Sequence, residues 1–289
     1  MTTGCIDHTV MEFRTPVQLP VDAMEINHGH RIMMLGSCFT GNIGSRMLRD
    51  GFNACVNPMG ALYNPVSIAR VITRALDRQP FTRHDLVERD AIFHCLAFES
   101  SRQHRDADIL LRDLNDDFTA FADSLAKADV WIITFGTAWI FTHNNSGQPV
   151  GNCHKLRADE FTRTRLSVKD ITDLWRPLSE KAPRIIFTVS PIRHTADGMH
   201  GNMLSKAVLH LAIDELGAEY FPAFEIVNDE LRDYRFYAAD MKHPSEVAVD
   251  YIYEQFGKTY FTTQTLERAR EERRRAARLN HRPILVSNG

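Results

Sequence analysis

Serine, histidine and aspartate occur in this chain in an arrangement suited to acyl transfer. Ser37 follows a short apolar run at 32–35 and Gly36, and a helix-like pattern begins directly after it. Far downstream stands Asp240-Met241-Lys242-His243-Pro244. In such a set the serine hydroxyl attacks an ester carbonyl. The histidine takes its proton and later returns it to the leaving alcohol, and the aspartate fixes the histidine tautomer. Serine is also a favoured helix N-cap, and one residue can fill both roles. Cys38 is a rival nucleophile because a helix N-terminus favours a thiolate, although the position after the serine points toward the core. Cys153 is a weaker rival of the same kind.

The elements that must hold these groups read as alternating strands and helices. Apolar runs at 32–35, 54–56, 130–135 and 184–189 predict buried strands, and helix-like spacing at 40–50, 65–76, 106–127, 167–179, 202–216 and 245–256 predicts helices between them. Continuous apolar strands separated by helices predict a mostly parallel sheet covered on both faces. Residues 1–29 read as an irregular lead-in, 92–98 as a short strand, 81–127 as a possible cap or insertion, and 143–165 as a polar loop. The segments 221–226 and 230–237 stay ambiguous. Residues 1–262 are expected to form the functional domain and 263–289 a charged helix and tail, either solvated or acting as a docking arm.

Ligands of open parallel sheets bind beyond the carboxyl ends of the strands. Ser37, then Asn57 and Gly60, then Gly136 and Thr137, then Ser190, Arg193 and His194 each follow one of the predicted strands. Gly60 is a candidate backbone donor to the oxyanion beside the N–H of Ser37 itself. Asn152-Cys153-His154-Lys155 has a ligand-like composition, but no second Cys/His pair stands at metal-ligand spacing, so no metal is expected. His154 and Lys155 are expected on a loop over the pocket, gripping substrate. Arg193 and His194 are candidates for binding an anionic or sugar group.

These residues, in this order, resemble the GSCFA family, whose motif reads here Gly36-Ser37-Cys38-Phe39-Thr40. The stretches Asn57-Pro58-Met59-Gly60-Ala61-Leu62-Tyr63-Asn64-Pro65, Phe135-Gly136-Thr137-Ala138-Trp139, Asn152-Cys153-His154-Lys155, Thr188-Val189-Ser190-Pro191-Ile192-Arg193-His194 and Asp240-Met241-Lys242-His243-Pro244-Ser245 look like the same family. That family is similar to the SGNH (GDSL-like) hydrolases. The resemblance implies a flavodoxin-like three-layer α/β/α fold, a catalytic Ser37, Asp240 and His243, and Gly60 as an oxyanion donor. A second donor, an asparagine in a Gly-x-Asn-Asp block, is replaced here by Gly136-Thr137-Ala138-Trp139. Thr137, Asn64 or Asn152 is left as its substitute.

The 289 residues carry a formal net charge of 34 − 37 = −3, with 44% hydrophobic and 25% charged side chains. That balance does not call for nucleic acid or an anionic membrane as partner. The first ten residues lack the pattern of a secretion signal, and the odd set of five cysteines points to free thiols in the cytoplasm. The expectation is a cytoplasmic, cofactor-free serine esterase acting on small O-acyl, above all acetyl, esters, with an acylated carbohydrate as one candidate substrate. An acyltransferase with the same residues and a non-catalytic carbohydrate-binding module stay open as alternatives.

Overall fold

In the computed structural model, residues 14–280 are described. Expectations for residues 1–13, Cys5 among them, and for the tail 281–289 lie outside the described residues.

Five strands form the central sheet: β1 (Arg31–Gly36), β2 (Asn53–Val56), β6 (Val130–Phe135), β10 (Ile185–Val189) and β11 (Glu219–Tyr220). They are all parallel, in the order β11-β10-β6-β1-β2. Successive side chains of a strand face opposite ways, so each apolar run feeds two cores. Met33, Leu35, Ile133, Phe135 and Phe187 face one side, where α2 (Pro65–Leu76), α3 (Ala107–Lys127), α4 (Val168–Lys181) and α5 (Gly198–Glu215) pack. Ile32, Met34, Ile132 and Ile186 face the other, against α1 (Cys38–Arg49) and α7 (Glu246–Tyr260). The result is the three-layer α/β/α architecture with a parallel sheet.

Residues 81–127 do not form a cap. They give a small antiparallel sheet of β3 (Val87–Arg89), β4 (Ile92–His94) and β5 (Gln103–His104), followed by α3, whose Leu114, Phe118 and Phe121 are part of the main core. The segment 143–165 is not a loop either. It completes a second antiparallel sheet in which β7 (Trp139–His143) lies between β8 (Gln148–Val150) and β9 (Phe161–Arg165). The reading missed β9 because its last four residues, Thr-Arg-Thr-Arg, are exposed and leave no apolar alternation to detect. Pro149 sits on the edge strand β8, where a missing N–H breaks no inner ladder.

The ambiguous segment after β11 is a short helix, α6 (Ala223–Glu225), continuing into a wide turn at Ile226–Leu231. The last helix, α8 (Thr263–Asn280), lies against α1. Its Arg273 donates to Asp50, whose side chain is 1% exposed. No helix among the described residues is long and apolar enough to cross a membrane.

Candidate active site

The turn from β1 into α1 admits only glycine at position 36. Gly36 has φ +153°, and a Cβ there would stand 2.5 Å from the Thr134 carbonyl oxygen and 2.6 Å from Thr40 Oγ1. Asn57, itself at φ +44°, laces the turn: its Oδ1 accepts the Gly36 N–H at 2.9 Å and its Nδ2 donates to the Ser37 carbonyl at 3.3 Å. Ser37 then caps α1, its Oγ accepting the Phe39 N–H at 3.3 Å. That hydroxyl donates in turn to Ser190 Oγ, 3.3 Å away. Ser37 is 1% exposed and Ser190 fully buried. Beside it, burial first, and the Asp240 carboxylate to a lesser degree, raise the Cys38 thiol above its ordinary pKa, which disfavours the thiolate despite its place at a helix N-terminus. Burial raises Cys153 as well.

Asp240 and His243 stand in a tight loop before α7, with Met241 at φ +58° between them. One carboxylate oxygen of Asp240 accepts the backbone N–H groups of Lys242 and His243, both at 3.0 Å; the other lies 2.5 Å from His243 Nδ1. These N–H donors first, and the imidazole after them, hold Asp240 well below the usual carboxylate range. With Nδ1–H directed at Asp240, the Nε2 lone pair is the basic one. The side chains of His243 and Asp240 are 45% and 46% exposed. Among the described residues no hydrogen bond joins His243 to Ser37.

Several expected contributors are engaged elsewhere. Gly60, at φ +91°, donates its N–H to the Asn57 carbonyl at 2.8 Å and backs onto Glu99. The N–H groups of Gly136 and Thr137 both go to the Tyr63 carbonyl, at 2.8 and 2.9 Å, and the Thr137 hydroxyl lies 3.2 Å from Ser205 Oγ and accepts the Trp139 N–H. Asn64 caps α2 through Ser67 N–H. His154 does not reach over a pocket: at φ +50° its ring turns inward, is 6% exposed, bonds the Phe98 carbonyl at 3.0 Å and meets His94 Nδ1 at 3.2 Å. Lys155 is exposed and lines no cavity described here. Arg193 stacks over the Tyr237 and Tyr234 rings, 4.2 and 5.3 Å from their centroids, and its N–H bonds the Lys242 carbonyl, so it props the Asp240–His243 loop.

A cleft of about 360 Å³ opens between the sheet edge and the β7–β9 sheet, lined by Asn64, Thr137, Trp139, Asn152, Arg163 and His194 among others. Its charges are neutralised within the wall. Arg163 lies 4.3 Å over the Trp139 ring and is paired with Asp197. Burial, and then the nearby Lys206, push His194 down to about 4, which keeps it neutral near pH 7. The Trp139 indole N–H and His194 Nε2 are buried with no partner among the described residues. No group of three or more metal-binding side chains is present among the described residues.

One residue of this edge, Lys206, went unsuspected, and Asn57 was placed at the edge without a role. Lys206 is 1% exposed, and its Nζ donates to the carbonyls of Gly136 and Ser190, both at 2.6 Å. Burial pushes its pKa down to about 7. Its signal was available: with Asn202, Leu209 and Ile213 it falls on the inward face of α5, where a lysine requires a reason.

The computed structure is similar to solved structures of Axe2 from Geobacillus stearothermophilus. A mutant described as an acetyl-xylooligosaccharide esterase shares 13% identity over 82% of this chain and 96% of that one, with a TM-score of 0.36. A catalytic mutant described as an acetylxylan esterase shares 12% identity at the same coverages, with a TM-score of 0.34. A comparison with curated proteins finds no match. The model of the GSCFA family matches residues 31–256, from the first residue of β1 into α7, and the chain belongs to the GSCFA family.

Proposed function

We propose that this protein is a serine hydrolase of small O-acyl esters, with Ser37 as nucleophile, His243 as general base and acid, and Asp240 as its orienting partner. The observation that carries this reading is the Asp240–His243 pair, hydrogen-bonded at the same sheet edge as a serine capping α1. Ser37 turns out of its capping position, its Oγ bonds to the acyl carbon, and its proton passes to His243 Nε2. The carbonyl electron pair moves onto oxygen, where the backbone N–H of Ser37 and the positive end of α1 favour it. Collapse breaks the bond to the alcohol, which takes the proton from His243. Water repeats the sequence to release the acid.

The cleft, whose wall includes none of Ser37, Asp240 and His243, is the candidate site for the alcohol portion, and its self-neutralised charges favour an uncharged group of sugar size over a phosphate or carboxylate. The unpaired Cys38, Cys55, Cys95 and Cys153 support work in a reducing compartment. The buried nucleophile, without a hydrogen bond to His243, favours a second reading, a binding module that takes the same sugar without turning it over.

The test is hydrolysis of a p-nitrophenyl acyl series, together with fluorophosphonate labelling. Wild type is expected to turn over short acyl chains and to be labelled at Ser37. Ser37→Ala and His243→Ala are each expected to lose activity by about 10³-fold or more. Equal turnover in both variants would sink the triad. Absence of both turnover and labelling in wild type would favour the binding module.

A further inference from the structure

A serine hydrolase needs at least one donor besides the backbone of its nucleophile, and two of the positions expected to provide it are occupied. The Gly60 N–H is held by Asn57 and the Thr137 N–H by Tyr63. Ser190 directly follows β10, and its Oγ is 3.3 Å from the Ser37 hydroxyl.

We infer that Ser190 is the side-chain oxyanion donor of this site, a reading that rests on Ser37 being the nucleophile. Ser190 Oγ accepts the Ser37 hydroxyl and, at 3.4 Å, the Ile192 N–H, and its own proton has no acceptor among the described residues. When Ser37 Oγ bonds to the acyl carbon, the former carbonyl oxygen lies one bond beyond that carbon. A hydroxyl already at hydrogen-bond distance from Oγ then has the oxyanion within reach. As Ser37 gives its proton to His243, it stops donating to Ser190, and the Ser190 hydroxyl rotates its proton toward the new charge. No further bond forms or breaks at Ser190.

Its position is fixed in advance, as an oxyanion donor requires. The Ser190 N–H bonds the Phe135 carbonyl at 2.8 Å, and its own carbonyl accepts Lys206 Nζ at 2.6 Å. Lys206 holds Gly136 by the same amine, so one buried side chain keeps the ends of β6 and β10 at a set distance under the nucleophile. Lys206 acts through Ser190 and is a positioning residue.

The experiment compares Ser190→Ala, Ser190→Cys and Ser190→Thr with wild type and Ser37→Ala on p-nitrophenyl acetate, with the melting temperature of each. The expected result is a fall in kcat of about 100-fold or more for alanine and cysteine, with KM and the pH profile little changed. Threonine, which keeps the hydroxyl, should retain most of the rate. A phenylboronic acid, which forms a tetrahedral anion on the serine, should lose affinity in parallel with kcat. If Ser190→Ala does not fold, the folded threonine and cysteine variants decide, and equal rates for them overturn the proposal. A Ser190→Ala enzyme within threefold of wild type, beside an inactive Ser37→Ala, overturns it and leaves the serine-hydrolase reading intact. A fully active Ser37→Ala removes both.

Discussion

Asp240 divides its carboxylate between two tasks. One oxygen gathers the N–H groups of Lys242 and His243 and so shapes the loop, and the other orients the imidazole. Asp240→Asn keeps the first function while presenting an amide to Nδ1 in place of a charge. The tautomer with its lone pair at Nε2 is then no longer preferred. A fall in kcat of about 10²- to 10⁴-fold is expected at nearly constant melting temperature, measured on the best p-nitrophenyl ester. An unchanged kcat would remove Asp240 from the chemistry. The place of Ser37 at a strand-to-helix turn, and the spacing of Asp240 and His243, were legible because both are local: a capping residue after an apolar run, and a three-residue step inside one loop. The destination of the Thr137 N–H was not, because Tyr63 reaches it only through the tertiary fold, whereas the Gly60 N–H closes a local turn back to Asn57. His154 misled for a similar reason. A polar loop composition suggested an outward side chain, and the backbone at φ +50° turns it inward.

At the level of elements, the β1–α1 turn is the joint whose geometry the nucleophile depends on. Gly36→Ala would drive a Cβ into the Thr134 carbonyl in a backbone conformation that disfavours any side chain. A loss of about 1–3 kcal/mol is expected, read from the denaturant midpoint, together with loss of esterase activity as Ser37 is displaced. Gly41→Ala, inside α1 with nothing within 4 Å of the added carbon, is the control. It should stabilise by about 0.5–1 kcal/mol. The opposite order would contradict the packing described. Four of the five central strands were readable: β1, β6 and β10 because burial on both faces writes them as unbroken apolar runs, and the half-buried edge strand β2 by its short run Ala54-Cys55-Val56. β11 is two residues at the sheet edge and was lost for its brevity. Of the outer sheets only β4 was read, inside the strand expected at 92–98, and the rest were lost because they are half-solvated and, in β9, polar throughout most of the strand.

Across the whole molecule, buried histidines set the acid limit of stability. His194 and His210 are pushed down to about 4, burial being the larger cause and Lys206 the second, and burial also lowers His94 and His154. His194 and His210 are neutral near pH 7 in the folded chain and protonate near their ordinary value of 6.5 when it unfolds. Their contribution is therefore complete above pH 6.5 and is lost progressively as the pH falls from 6.5 toward 4. The melting temperature should drop across that window, and His210→Phe should flatten the drop. A wild-type melting temperature level from pH 7 to 4.5 would refute this. The same scale shows how the two halves of the site are mounted. Arg46 of α1, its side chain 8% exposed, bonds Asp250 at 2.6 Å and Glu246 at 2.7 Å, both on α7. That clasp joins the helix that begins after Ser37 to the helix that begins three residues after His243, while Arg273 of α8 grips the far end of α1. With the two helices clasped, the reading of Ser37 as nucleophile and His243 as base assigns the motion that would bring them together to the half-exposed loop through Met241, so the stiffness of those few residues, more than that of the sheet, would govern how often the two meet.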